Sequence, residues 1–419
     1  MTDSSPRKLE VMIIGAGTGG LCLAQGLRKA GVDVRVFERD QTPVDRLQGY
    51  RLHISATGNR ALRTCLPGDV FGRFAAAAAK PNTGVTFLDE KLSRLLAIAI
   101  PPADPTQPES EIPISRIALR KILLDGLDDV VTFGKTFEAF EVGPAGQVTA
   151  HFEDGSAAMG DVLVGADGAS SRMRAQLLPQ ARRLDTGLVA ISGKFVLDEQ
   201  ARRETPPAVF RGPTLILGPR GCFLFASAVE YPAGQRSSDD REEYVMWGFS
   251  ARRETLGVGD QPDALTGEAA KALVLARMEG WRPELRRLVE RAEPATMTSF
   301  AVKTSEPVAP WETGNVTLLG DALHNMTPFR GMGANAALRD AAALRDALLP
   351  VDRQERDLIP ALAAYEREMI DYGFAAVQAS LGEMERLHST SPMQRLATRT
   401  LFRVVDAVPA LQRLFRGKR

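Results

Sequence analysis

Three cysteines, Cys22, Cys65 and Cys222, are all that this 419-residue chain holds. They are scattered, form neither a CxxC pair nor a disulfide framework, and read as small core residues. Histidine is almost as scarce. His53, His151, His324 and His388 share no HxxxH or HExxH spacing, so no metal site is expected. The net charge is +0, with 52 Lys plus Arg against 52 Asp plus Glu, which removes any global electrostatic case for nucleic acid or an anionic membrane. No uninterrupted apolar run is long enough to span a bilayer, and the opening MTDSSPRK has no apolar stretch behind its basic residues. Cytoplasm is therefore the expected location, without stable membrane association. There is no internal repeat and no low-complexity tract beyond a short polyalanine.

What is present is the profile of an ordinary globular protein, 44% hydrophobic and 25% charged, in a chain long enough for two connected domains. Leu9 to Ile14 reads as a strand, Thr18 to Ala30 as a helix with Gly31 just past its end, and Val34 to Phe37 as a second strand. The stretch FAAAAAK at 74–80 is helical in composition and stops at Pro81, and PPADPTQP at 101–108 is an irregular connection. Residues 116–127, RIALRKILLDGL, place apolar side chains on one helical face and Arg116 and Arg120 one turn apart on another. From 187 to 303 the pattern is mostly β, with LVAISGKFVL, PTLILG, CFLFASAV and EEYVMWGFS separated by turns and two helical stretches around 265–291. The α/β pattern resumes near 306 and becomes helical almost to the end. The first domain is thus expected to be discontinuous in sequence, interrupted by a mainly antiparallel sheet.

Three motifs carry chemistry. In GAGTGG, Gly15, Gly17 and Gly20 stand in GxGxxG register directly after a strand and at the opening of a helix. Gly15 allows a tight turn, Gly17 lets a pyrophosphate approach the backbone, and Gly20 lets helix and strand pack closely. Glu38 ends the next strand, where a carboxylate accepts from an adenosine ribose. The second motif, VLVGADGASSRMR at 162–174, is a buried strand ending in Gly165, an Asp167-Gly168 turn, and a helix start holding Ser171 and Arg174. The third, VTLLGDALHNMTPFRGMGANAALRD at 316–340, places Asp321 at a strand end and sends a loop through Pro328, Gly331 and Gly333 into an Ala-rich helix. GMGANA within it also fits GxGxxA. Its strand ends at Leu319, too far upstream for the tight turn of a second nucleotide fingerprint, so only one complete fingerprint is read.

Together these motifs resemble class A flavin-dependent monooxygenases, the p-hydroxybenzoate hydroxylase-like family. GAGTGG with Glu38 is similar to that family's adenine-nucleotide site, DGASSRMR to its DGxxSxxR motif, and GDALHNMTPFRGMGAN to its GDAxHxxxPxxGxGxN motif, in the same order from residue 10 to about 385. The resemblance implies an α/β chain: a Rossmann-like FAD-binding domain over 1–78, 112–181 and 306–385, a mainly antiparallel β-sheet substrate domain over 79–111 and 182–305, and C-terminal helices over 386–419. It implies FAD lying extended in the first domain. Gly15, Gly17, Thr18, Gly19, Gly20 and Glu38, with Arg39, would hold the ADP half. Arg120 is similar to the family arginine on the flavin side of the cofactor, with Arg116 as the alternative. Asp321 would bind the ribityl-pyrophosphate region, while Pro328, Gly331, Gly333, Ala334 and Asn335 would face the pyrimidine edge of the ring. Asp167 and Arg174 would serve cofactor placement and the encounter with NAD(P)H. The expected reaction uses NAD(P)H and O2 through a flavin C4a-hydroperoxide to hydroxylate an aromatic or other electron-rich small molecule. A helix N-terminus favours the anionic reduced ring, and a packed glycine loop excludes water.

On the substrate side, GYRLHIS at 49–55 reads as a strand with Arg51, His53 and Ser55 on one face. His53 is the candidate catalytic residue, with Arg51 beside it; His53 either polarises a substrate hydroxyl or bonds only to cofactor or backbone. His324 reads as structural. The basic, amphipathic tail from 394 reads as a helix packed across the two domains, broken at Pro409, rather than as a membrane-surface helix. The competing functions are another flavin oxidoreductase on the same fold, either dehydrogenase or halogenase, and a non-catalytic FAD- or ligand-binding protein. No redox cysteine pair or WxWxIP segment favours a disulfide reductase or halogenase. NADH versus NADPH, and monomer versus homodimer, stay open.

Overall fold

The computed structural model describes every residue except 1–7, 44–49, 101–103, 105–106, 108, 233–241, 260–261, 409 and 413–419. Most of the expected connection at 101–108, Pro409 and the end of the basic tail therefore lie outside the described residues. The chain divides into two compact units: Met1–Ala77, Pro105–Leu184 and Lys303–Leu381 form the first, and Ala78–Asp104, Asp185–Val302 and Gly382–Arg419 the second.

The first unit is built on five parallel strands in the order Val316–Leu318, Val162–Gly165, Glu10–Ile14, Asp33–Phe37, Val131–Thr132. Of the central three, Glu10–Ile14 and Val162–Gly165 are nearly continuous apolar runs, as strands covered on both faces must be, while Asp33–Phe37 buries only its last two residues. Met12, Ile13, Leu163 and Val164 are wholly buried. The order places the carboxyl ends of Glu10–Ile14, Val162–Gly165 and Val316–Leu318 side by side, so all three motifs emerge along one edge of one sheet. Strand Arg51–Ile54 pairs antiparallel with Ile112–Ser115, His53 lying opposite Pro113. A three-stranded antiparallel sheet of Phe137–Val142, Val148–Phe152 and Ala157–Gly160 completes the unit's β structure among the described residues.

Cys22, in helix Thr18–Ala30, and Cys65, the last residue of helix Ala56–Cys65, are free and fully buried. Their thiols hydrogen-bond to one another, and that bond, together with burial, pushes the Cys22 thiol well above its ordinary value. The reading of scattered core cysteines missed this contact, which helix packing alone creates.

The second unit carries a seven-stranded sheet in the order Thr298–Ser305, Arg183–Val196, Tyr244–Arg252, Phe223–Val229, Thr214–Leu217, Gly84–Asp89, Arg94–Ala99. Thr214–Leu217 and Gly84–Asp89 run parallel, while Tyr244–Arg252 pairs antiparallel with both of its neighbours. Trp247, Phe249, Ile191 and Leu224 meet Leu285, Leu288 and Val274 from helices Gly267–Arg277 and Pro283–Glu290 in one buried core. The tail forms helix Pro392–Ala407. It packs on Arg94–Ala99, with the Phe402 ring 4.7 Å from Phe87 and Asp406 accepting from the Ala97 N–H at 2.9 Å.

The polyalanine departs from expectation, since its helix, Gly68–Ala76, starts earlier and ends at Ala76 rather than at Lys80. Ala79 leaves it to pack with Val229, Tyr231 and Tyr244, and Lys80 N–H bonds to the Glu230 carbonyl at 2.8 Å. Burial in the second unit outweighs the helix propensity of alanine there.

Candidate functional site

Strand Glu10–Ile14 stops at Gly15, whose φ of +108° suits only glycine and whose N–H bonds to the Phe37 carbonyl at 2.8 Å. The two outer glycines of the fingerprint are sterically required: a Cβ on Gly15 would lie 2.5 Å from the Ala166 carbonyl oxygen, and one on Gly20 would lie 2.1 Å from the Gly15 oxygen. Gly17 differs, because a Cβ there would meet nothing within 4 Å. Space is left beside its backbone. Helix Thr18–Ala30 begins at Gly17 with no side-chain cap and no acid in its first turn, leaving its initial N–H groups and dipole directed at that space. Glu38 is buried and closes the turn from behind: Oε2 accepts from Ala16 N–H at 2.6 Å and Oε1 from Asp40 N–H at 3.0 Å. Each oxygen keeps a further lone pair for a ligand hydroxyl.

Arg39 is exposed. Of the two arginines expected near the flavin side, Arg120 is held by buried Asp40, Nη2 to Oδ2 at 3.1 Å, and its Nε is buried without a partner. Arg116, the first residue of helix Arg116–Leu124, is exposed and makes no ion pair among the described residues. Asp40 was not singled out from sequence, and its pairing with a residue 80 positions away has no local signal.

The second motif folds as a capped turn. Ser171 caps helix Arg172–Leu177 by accepting from Arg174 N–H at 2.8 Å, while Asp167 Oδ2 accepts from Arg172 N–H at 2.8 Å. Asp167 Oδ1 is buried with no partner, and burial pushes this carboxyl above its ordinary value, against the hydrogen bonds from Ser171, Met173 and Arg172. Arg174 Nη1 donates to the Ala322 carbonyl at 2.8 Å and to Ala169 at 3.2 Å, while its Nε is also buried and unpaired. Burial and neighbouring Arg183 lower the Arg174 guanidinium, and Asp167 opposes them. Arg183, which sequence reading missed, donates from Nε to Asn325 Oδ1 at 3.1 Å and feels the charge of Asp321. The second and third motifs are thereby tied together.

In the third motif, strand Val316–Leu318 leads to Gly320 at φ +61°, ψ −141°, then the short helix Asp321–His324, a turn at Pro328–Arg330, Gly331 at φ +62°, and the long helix Gly333–Asp352. Asp321 is exposed and makes no hydrogen bond or ion pair among the described residues. A Cβ on Gly333 would lie 3.8 Å from its Oδ1, so this carboxylate stands beside the start of the long helix. That start has no side-chain cap and no acid in its first turn. Gly333 and Ala334 are half-buried there, while Pro328 and Gly331 are exposed. Asn335 is buried and reaches across: Oδ1 accepts from Ser55 N–H at 2.8 Å, and Nδ2 donates to the His53 carbonyl at 2.8 Å and to Gly331 at 3.1 Å. Strand Arg51–Ile54 is thus fastened to the glycine loop. His53 Nε2 lies 3.4 Å from Glu111 Oε2, and its side chain is about one third exposed. His324 is wholly buried against Asp340 at 2.7 Å.

Among the described residues, no group of three His, Cys, Asp or Glu side chains could hold a metal ion, and no helix is long and apolar enough to cross a membrane.

The donors and acceptors suit an extended dinucleotide. Two uncapped helix starts offer N–H groups to electron-rich partners, Glu38 and Asp321 offer carboxylates to hydroxyls, and buried Asp167 Oδ1 and Arg174 Nε await partners. The comparisons with known proteins agree. The family model described as FAD binding domain matches residues 8–380. The dual O-methyltransferase/FAD-dependent monooxygenase elcB of Phaeosphaeria nodorum is 32% identical, over 89% of this chain and 45% of its own length. The chain thus spans about half the length of the first curated relatives it matches. Aurachin C monooxygenase/isomerase of Stigmatella aurantiaca is 30% identical over 87% of this chain and 85% of its own. Among solved structures, a candidate FAD-containing monooxygenase from Photorhabdus luminescens subsp. laumondii is 33% identical, covers 91% of this chain and 98% of its own, and superposes with a TM-score of 0.81. HpxO of Klebsiella pneumoniae, complexed with FAD and uric acid, is 25% identical with a TM-score of 0.78, covering 94% of this chain and 93% of its own.

Proposed function

Because this chain belongs to the FAD binding domain family, that of the class A flavin monooxygenases, we propose that it is an FAD-dependent monooxygenase. It takes electrons from NAD(P)H and inserts one atom of O2 into an aromatic or other electron-rich small molecule. The observation that carries the reading is the state of Asp321. It is a carboxylate with no hydrogen-bond or ion-pair partner among the described residues, standing beside an uncapped helix start.

Bound FAD supplies hydride acceptance and the activation of dioxygen. The chain's own residues do the rest. The backbone at Gly15 and Gly17 and the first turn from Thr18 would take the pyrophosphate, and Glu38 the adenosine ribose. Asp321 would accept from the sugar-chain hydroxyls, with Arg120, whose Nε has no partner, or exposed Arg116 as the cation on the flavin side of the cofactor. N–H groups from Gly333 to Asn335 would favour negative charge on the flavin ring. Asp167 and Arg174, the latter tied to the third motif through the Ala322 carbonyl, would serve cofactor placement and the encounter with NAD(P)H. His53, with Glu111 at 3.4 Å, would be the acid-base group beside that loop, with Arg51 next to it on the same strand. The domain boundaries proposed from sequence follow the same logic, with the cofactor residues all in the discontinuous first domain.

The test is a screen of aromatic compounds with the FAD-loaded chain, measuring NAD(P)H oxidation and peroxide together. The proposal expects at least one compound to accelerate NAD(P)H oxidation without a matching rise in peroxide. A chain that cannot be loaded with FAD contradicts it.

A further inference from the structure

The third motif rests on a buried carboxylate at the end of its stretch, beyond the GDAxHxxxPxxGxGxN pattern. Asp340 lies two turns into helix Gly333–Asp352 and is wholly buried. Three donors converge on it. Its Oδ2 accepts from Gly320 N–H at 2.6 Å and from His324 Nε2 at 2.7 Å, and its Oδ1 accepts from Tyr372 Oη. Tyr372 stands on helix Leu358–Leu387, and its other face carries Arg339, whose guanidinium carbon lies 3.5 Å from the ring centroid. A carboxylate in such a place is costly unless donors offset its lost hydration, and here two of the three donors, Gly320 and His324, bracket one short segment.

That segment is Asp321–His324. Gly320 enters it in a conformation that glycine alone adopts readily, and a Cβ there would strike Ala337 Cβ at 2.9 Å. The Gly320 carbonyl accepts from Leu323 and His324 N–H, both at 3.0 Å, while its N–H is held by Asp340. Both peptide groups flanking Gly320 are therefore fixed. At the far end the His324 ring is fixed as well, with Asp340 on Nε2 and Gly373 packed so closely that a Cβ there would lie 2.6 Å from Cδ2. One carboxylate thus grips the residue before Asp321 and the residue closing its only helical turn.

We propose that Asp340 is a positioning residue for the cofactor: by clamping Gly320 and His324 it fixes the direction in which Asp321 presents its carboxylate to FAD. This inference rests on the reading of Asp321 as an FAD-binding residue. Burial disfavours the charged imidazole of His324, but Asp340 first, and Asp321 after it, more than offset this and raise it above its ordinary value. A charged partner for Asp340 inside the clamp is consistent with that role.

Asp340→Asn, Asp321→Ala and the double variant test it, using apoprotein titrated with FAD and the melting temperature of the apoprotein. Asp340→Asn should raise the FAD Kd about tenfold or more, the scale of a lost buried hydrogen bond to a charged group. It should do so with a much smaller effect in the Asp321→Ala background, because Asp340 acts through Asp321. A simple structural role moves the melting temperature and leaves the FAD Kd of the folded variant unchanged, or adds fully to Asp321→Ala; either result overturns the proposal. If Asp340→Asn does not fold, Tyr372→Phe removes one donor and leaves the Gly320 bond. The same non-additivity at smaller amplitude supports the clamp, and full additivity overturns it. A wild-type chain that takes up no FAD overturns the cofactor reading itself, which the comparison of variants separates from failure of the clamp.

Discussion

Asn335 and His53 are 282 positions apart, yet Asn335 Nδ2 donates to the His53 carbonyl at 2.8 Å while its Oδ1 takes the Ser55 N–H at the same distance. One amide side chain therefore holds a strand end to the loop that opens the long helix. Gly58 exists to make room for it, since a Cβ there would lie 2.3 Å from Asn335 Oδ1. Asn335→Ala leaves buried backbone groups unpaired and should cost about 1–3 kcal/mol in urea unfolding, with weaker FAD binding. Gly58→Ala should do comparable harm by pushing the amide away. Unchanged FAD affinity in a folded Asn335→Ala variant would detach this strand from the cofactor site.

Gly17 and Gly20 of the fingerprint should separate cleanly by substitution. Gly20→Ala forces a Cβ against the Gly15 oxygen and should destabilise the apoprotein. Gly17→Ala meets nothing within 4 Å and has an extended φ of −80°, so the apoprotein should melt within a degree or two of wild type, about the noise of a neutral substitution. Its FAD Kd should nevertheless rise, because the methyl group occupies the space left for the pyrophosphate. Melting and FAD titration of the two variants, run side by side, check this.

Two buried histidines give opposite pH signatures. In the second unit, His388 accepts or donates at Nε2 with Ser250 Oγ at 2.7 Å, and its Nδ1 lies 2.8 Å from the Met384 carbonyl. Burial, with Arg252 nearby and against the Met384 carbonyl, lowers it from 6.5 to about 4. Its folded value lies below its unfolded one. The stability it contributes is thus present above about pH 6.5 and declines as pH falls through about 4, by about 3 kcal/mol in full. His388→Gln should flatten that acid limb in pH-dependent unfolding.

His324 runs the other way, because Asp340 and Asp321 outweigh its burial and raise it above 6.5. Its contribution is fully present below about pH 6.5 and lost as pH rises through the raised folded value. His324→Asn should therefore narrow the stability gap to wild type as pH increases. A gap that stays constant with pH would show that His324 is neutral in the folded protein.

Local chemistry was legible wherever the chain turns sharply. Gly15, Gly20, Gly320 and Gly331 mark backbone conformations or contacts that only glycine satisfies, and such residues speak from the sequence. Asp40, Arg183 and Asp340 did not, because each acts through a partner brought in by the fold: Asp40 meets Arg120, Arg183 meets Asn325, and Asp340 meets Tyr372 on another helix. An aspartate in an Ala-rich helix looks like solvated polarity until the strand beside it is known. The Cys22–Cys65 contact was hidden for the same reason, and the polyalanine misled because Ala79 is buried by strands far along the chain. Propensity describes a segment alone, and these segments are not alone.

The proposed function is the transfer of one oxygen atom from O2 to a small molecule, with FAD held along Gly15, Asp167 and Asp321. Turnover of the FAD-loaded protein under ¹⁸O-labelled dioxygen, with NAD(P)H and a compound found by the screen, tests it most directly by mass spectrometry. One labelled oxygen atom is expected in the product, with loss of that labelled product in Asp321→Ala at FAD concentrations that saturate only the wild type. An oxidised product carrying no label would contradict it and make the protein a dehydrogenase on the same fold.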